Sequence, residues 1–142
     1  MHTPFSVVLK RLTILSDLAN QESDYTQNLV VGPGQPFIYG SESVSELMHE
    51  PEPCNKALRA FLAALPAPVL NSIVALMYSG RDTEPDAADY WRGLRSSIPT
   101  KDQAIDAISE KYPRMEYISK GISLLPSGTA LDELPILVAV KE

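Results

Sequence analysis

The chain has 142 residues and is 44% apolar, enough for one domain with a real core, and twelve prolines divide it into short elements. Its formal charge is −6, and the acidity is concentrated. Between Arg11 and Lys56 no Lys or Arg occurs, while Asp17, Glu22, Asp24, Glu42, Glu46, Glu50 and Glu52 do; phosphate backbones need clustered cations, so this argues against nucleic acid.

Residues 4–20 carry Phe5, Val8, Leu9, Leu12, Leu15 and Ala19 at helical spacing. Val7, Ile14 and Leu18 form a second, neighbouring stripe, so the apolar arc is wider than one packing face needs. Either other helices sandwich it, or Val7, Ile14 and Leu18 meet a partner, a second copy included. Residues 21–53 read as an irregular acidic segment: "VVGPGQP" is loop chemistry, "FIY" a short strand, and Ser43 with Glu46 a capping box opening a turn or two of helix.

From residue 54 the pattern is regular. Asn55 caps a helix with Leu58, Phe61, Leu62 and Leu65, which Pro66 ends; Pro68 sits in the first turn of the next. That next helix is the most buried one expected, because Val69, Leu70, Ile73, Val74, Leu76 and Met77 cover most of its circumference. Asp86 opens a helix with Trp91, Leu94 and Ile98. Thr100 and Gln103 form a capping box ahead of Ala104, Ile105, Ile108 and Tyr112. Pro113 opens a last helix through Leu125. Residues 127–142 read as an arm, with the β-branched "LPILVAVKE" as a short strand, pairing with "FIY", or as a docked segment.

The stretch "YSGRD", residues 78–82, offers two roles. Gly80 suits a left-handed helix end, with Arg81 beside the terminal carbonyls and Asp82 as a cap or ion-pair partner. Alternatively the chain is a ligand-binding or enzymatic domain whose site is Tyr78, Arg81, Asp82 and Trp91, in which the guanidinium holds an anion and the indole stacks. "LRAFLAALPAPVLNSIVALMYSGRD", "YWRGLRSSI" and "YISKGISLL" together resemble a bacterial domain family of unknown function. That family has an "ALxWLGRGD"-like segment, a Trp-containing helix and a closing "YLxxGLxxL"-like helix. The similarity covers about residues 55–126 and rests on Ala75, Leu76, Gly80, Arg81, Asp82, Trp91, Leu94, Gly121 and Leu125. Tyr78-Ser79 replaces Trp-Leu, and Thr83 rather than a second glycine completes the turn. The resemblance implies a compact helical domain and no activity.

Little else carries chemistry. "HEPEPC", residues 49–54, gathers His49, Glu50, Glu52 and Cys54, but its spacing fits no zinc pattern, so neither metal nor cofactor is expected. Cys54 is the one cysteine, which excludes an internal disulfide; as a nucleophile it would need His49 folded back onto it. Lys10 and Arg11 interrupt the first apolar stretch, which is unlike a signal peptide. Pro66, Pro68, Asn71 and Ser72 break the long uncharged run at 60–80, which is unlike a membrane span. The expectation is a mainly α, single-domain cytoplasmic protein: a bundle of five or six short helices with an optional two-stranded pairing. Its expected role is non-catalytic binding of a basic protein, as an inhibitor or immunity-type protein, with Glu42, Glu46, Glu50 and Glu52 as the recognition face.

Overall fold

One helix, residues 67–82, is the axis on which the others are hung, and its sequence explains why. The computed structural model describes residues 3–31, 53–111 and 113–141. Among these it has seven α-helices: α1 Phe5–Val31, α2 Pro53–Ala63, α3 Ala67–Asp82, α4 Ala87–Leu94, α5 Lys101–Glu110, α6 Arg114–Ser123 and α7 Leu134–Lys141. A single 3₁₀ turn, Leu131–Glu133, leads into α7. The chain is mainly α, and no strand occurs among the described residues.

Every residue of α3 from Ser72 to Met77 is buried. Helix α6 packs along it most extensively, and α4, α5 and α7 cover its other sides; α1 and α2 pair with each other, and α2 reaches α5. Two serines of this helix, Ser72 and Ser79, are buried too. Ser72 donates to the Pro68 carbonyl at 2.7 Å and Ser79 to the Glu84 carbonyl at 2.5 Å, so neither hydroxyl is left unpaired. Each large aliphatic side chain buried this way contributes roughly 1.5–3 kcal/mol relative to exposure.

The local signals around α3 act as their chemistry dictates. Pro66 is its N-cap, and the α2–α3 junction bends by 119°. Asp86 caps α4 by accepting from the Asp89 N–H. Thr100 and Gln103 form the expected reciprocal capping box on α5. No single described helix is long and apolar enough to cross a membrane.

Four expectations are corrected. Asn55 does not cap α2: the helix already begins at Pro53, and Asn55 lies inside its first turn. Helix α1 runs through residues 21–31, which had read as the start of an irregular segment; the structure makes them helical despite their mixed polarity. The C-terminal arm is helical, not a strand. Leu134 and Val138, one helical turn apart, are both fully buried, and that contact favours the 3.6-residue repeat over the β propensity of Ile136, Val138 and Val140. Gly80 is not a helix end. Helix α3 continues to Asp82, and Thr83 takes the left-handed conformation at φ 57°.

Gly80 serves close approach instead. A Cβ built on it would lie 1.8 Å from the Tyr117 carbonyl oxygen, and one on Gly121 would lie 2.1 Å from the Leu76 carbonyl oxygen. The two glycines let the backbones of α3 and α6 touch, which positions the end of α3 and everything carried on it.

Candidate functional site

The end of α3 carries a surface cluster built by helical spacing. Tyr78 and Arg81 lie three residues apart, so their side chains meet: the guanidinium sits 4.4 Å from the centre of the Tyr78 ring. The Lys111 ammonium approaches the same ring at 5.6 Å. Arg81 donates to both oxygens of Asp82, at 2.8 and 3.1 Å. The Tyr90 hydroxyl, brought across by α4, donates to the second of those oxygens. These bonds hold the Asp82 carboxyl below its usual range, with the Arg81 bond first and the Tyr90 bond second. The same contact with Asp82 pushes the Tyr90 phenol up to about 12. Arg81 is thus shared between a carboxylate and an aromatic face.

Trp91 does not stand with that cluster. It is 2% exposed and belongs to the core. Its indole N–H is the one buried side-chain polar atom without a hydrogen-bond partner among the described residues. The ring also walls a separate cavity of about 450 Å³, between the start of α3, the turn after α4 and the start of α5.

Of the residues expected to recognise a protein, Glu42, Glu46, Glu50 and Glu52 lie outside the described residues, as do the Ser43 capping box, "FIY" and His49. Cys54 is half-buried, and its backbone N–H donates to the Glu22 carboxylate at 2.9 Å, tying α2 to α1. Among the described residues no three His, Cys, Asp or Glu side chains are grouped as metal ligands would be. On α1, Ile14 is 62% and Leu18 44% exposed, while Val7 is half-buried.

Two features escaped the sequence. The outer face of α7 leaves Ile136 66% and Val140 77% exposed. They border an apolar groove of about 580 Å³ whose other walls include Pro4, Pro66, Pro68 and Val69. A strand would have placed Ile136, Val138 and Val140 on one face together, whereas the helix turns Val138 inward. The second feature is Arg114, 3% exposed at the start of α6. It donates to the Ile108 and Ser109 carbonyls at the end of α5, at 2.8 and 2.9 Å, and to Ser16 on α1 at 2.7 Å. Burial lowers its pKa. These partners make it a cation satisfied by a helix C-terminus, which no local motif announces.

No family model matches the chain, and no match is found among curated proteins or solved structures.

Proposed function

We propose that the chain is a non-catalytic, cytoplasmic protein-interaction module that docks a partner protein on the outer face of α7. The observation that supports this most directly is the pair Ile136 and Val140, exposed one turn apart on a helix with no charged residue from Leu134 to Val140. A helix apolar on every side is ordinarily covered on every side. Here the inner side is covered by α3 and α4, and the outer side borders the groove beside Pro66 and Val69. Contiguous apolar surface of this kind marks interaction sites in soluble proteins.

The acidic stretch gives the partner its sign. Glu42, Glu46, Glu50 and Glu52, with no Lys or Arg from residue 12 to residue 55, complement a basic surface, as in an inhibitor or immunity-type protein. The apolar face supplies affinity and the acidic residues supply steering and selectivity.

Affinity capture from the native host tests this with two variants of the full chain. One carries Ile136→Lys and Val140→Lys, and the other reverses Glu42, Glu46, Glu50 and Glu52 to Lys. Both leave the buried Leu134 and Val138 untouched. A single basic protein, captured by the wild-type chain and lost with either variant, is the expected result. Capture unchanged by the α7 pair would remove α7 as the docking face. Sedimentation of the purified chain, with Ile14→Lys and Leu18→Lys as control, separates this from self-association through α1.

A further inference from the structure

We infer that the cavity beside Trp91 is a binding site for a small organic anion, an oxyanion carried on an apolar body, with Arg95 as the group that holds the charge. The cavity, about 450 Å³, is within the range that holds small ligands. Its walls supply both halves of such a ligand's needs. Leu70, Ile98 and the Trp91 ring give apolar surface, and Arg95 and Lys101 give two cations.

The cavity is lined by two cations and by no acid among the described residues, in a chain whose net charge is −6. Like Arg11 and Arg92, and unlike Arg59, Arg81 and Arg114, Arg95 has no side-chain hydrogen-bond or ion-pair partner among the described residues. Lys101 is partly committed, donating to the Ala63 carbonyl at 2.7 Å. A free guanidinium presents a planar fork that matches carboxylate and phosphate oxygens. The anion site expected around Arg81 is thereby moved: Asp82 occupies the Arg81 guanidinium, while the guanidinium of Arg95 is open.

Trp91 is the chain's one tryptophan, so its indole N–H gives a single side-chain resonance and its fluorescence a single source. Titrating the full chain with phenylacetate, phenyl phosphate and neutral phenylacetamide reads the site directly. Saturable movement of the indole signal by at least one anion, and a much weaker response to the amide, is expected. The two anions separate a carboxylate preference from a phosphate one. Arg95→Ala is expected to weaken anion binding by about tenfold or more, since a charge-assisted bond is lost. Arg81→Ala is expected to leave it unchanged. An amide that binds as well as the anions, an Arg95→Ala chain that binds normally, or no saturable response at millimolar ligand would each overturn the assignment.

Discussion

A methyl group on Gly121 would place its Cβ 2.1 Å from the Leu76 carbonyl oxygen, and one on Gly80 would sit 1.8 Å from that of Tyr117. Neither obstacle is a flexible side chain. Both are helix backbone, so α3 and α6 would have to separate along their length. Gly121→Ala and Gly80→Ala are each expected to cost about 3 kcal/mol or more in urea unfolding, at the upper end of overpacking effects. Gly93 is the internal control. It also lies in a helix, but nothing stands within 4 Å of its added Cβ. Gly93→Ala should therefore stabilise the chain by roughly 0.5–1 kcal/mol through helix propensity alone. Equal effects at the three positions would show that the close approach of α3 and α6 is not what the glycines serve. The two contacting glycines are 41 positions apart, so no local pattern links them. That is why Gly80 read as a helix end, a role that falls to Thr83.

Elements whose start is encoded locally were legible, and those set by distant contacts were not. Asp86 and the Thr100–Gln103 box fix the starts of α4 and α5 through bonds spanning a few residues, and Pro66 separates α2 from α3 without any side-chain bond. Helix α7 has no such signal; its helical state follows from what Leu134 and Val138 meet on α3 and α4. The site divides the same way. Tyr78, Arg81 and Asp82 share one helix end and were legible as neighbours, whereas the Trp91 cavity joins residues from three stretches. Arg114 is the clearest long-range case. It joins α6, α5 and α1 through backbone carbonyls, Ser16 and Asn20, with no carboxylate among the described residues to suggest an ion pair. Arg114→Met keeps most of the side chain's volume and removes its donors, stranding the Ser16 hydroxyl. A loss of about 2–4 kcal/mol is expected, summed over several bonds from a charged donor. Arg114→Lys should recover only part of it, since an ammonium lacks the planar fork that spans two carbonyls. Full recovery by Lys would reduce the role of Arg114 to its charge alone.

At the scale of the molecule, α3 makes the fold one cooperative unit. Four helices pack on it directly, and its buried residues share one core with Phe5, Leu12, Trp91, Ile108, Ile118 and Leu134. A core this continuous has no internal boundary at which part of it could melt first. The chain's ends are drawn into the same unit, because Asp132 accepts the Ser6 N–H at 2.8 Å where α1 begins. Trp91 reports the centre of this core by fluorescence, and far-ultraviolet circular dichroism reports all helices. The two unfolding curves should coincide, as two-state behaviour requires. The stronger test comes from the periphery. Leu134→Ala truncates a fully buried side chain on the last helix, 43 residues from Trp91 in sequence. It should lower stability by about 2–5 kcal/mol, as large-to-small core changes do. If α3 couples the helices, the Trp91 and circular dichroism midpoints fall together. If α7 were a loosely attached arm, Leu134→Ala would leave the Trp91 transition in place and shift only a minor helical phase. The apolar face of α7 would then belong to a detachable segment, and the groove beside Pro66 and Val69 would be an intramolecular seam, not a docking surface.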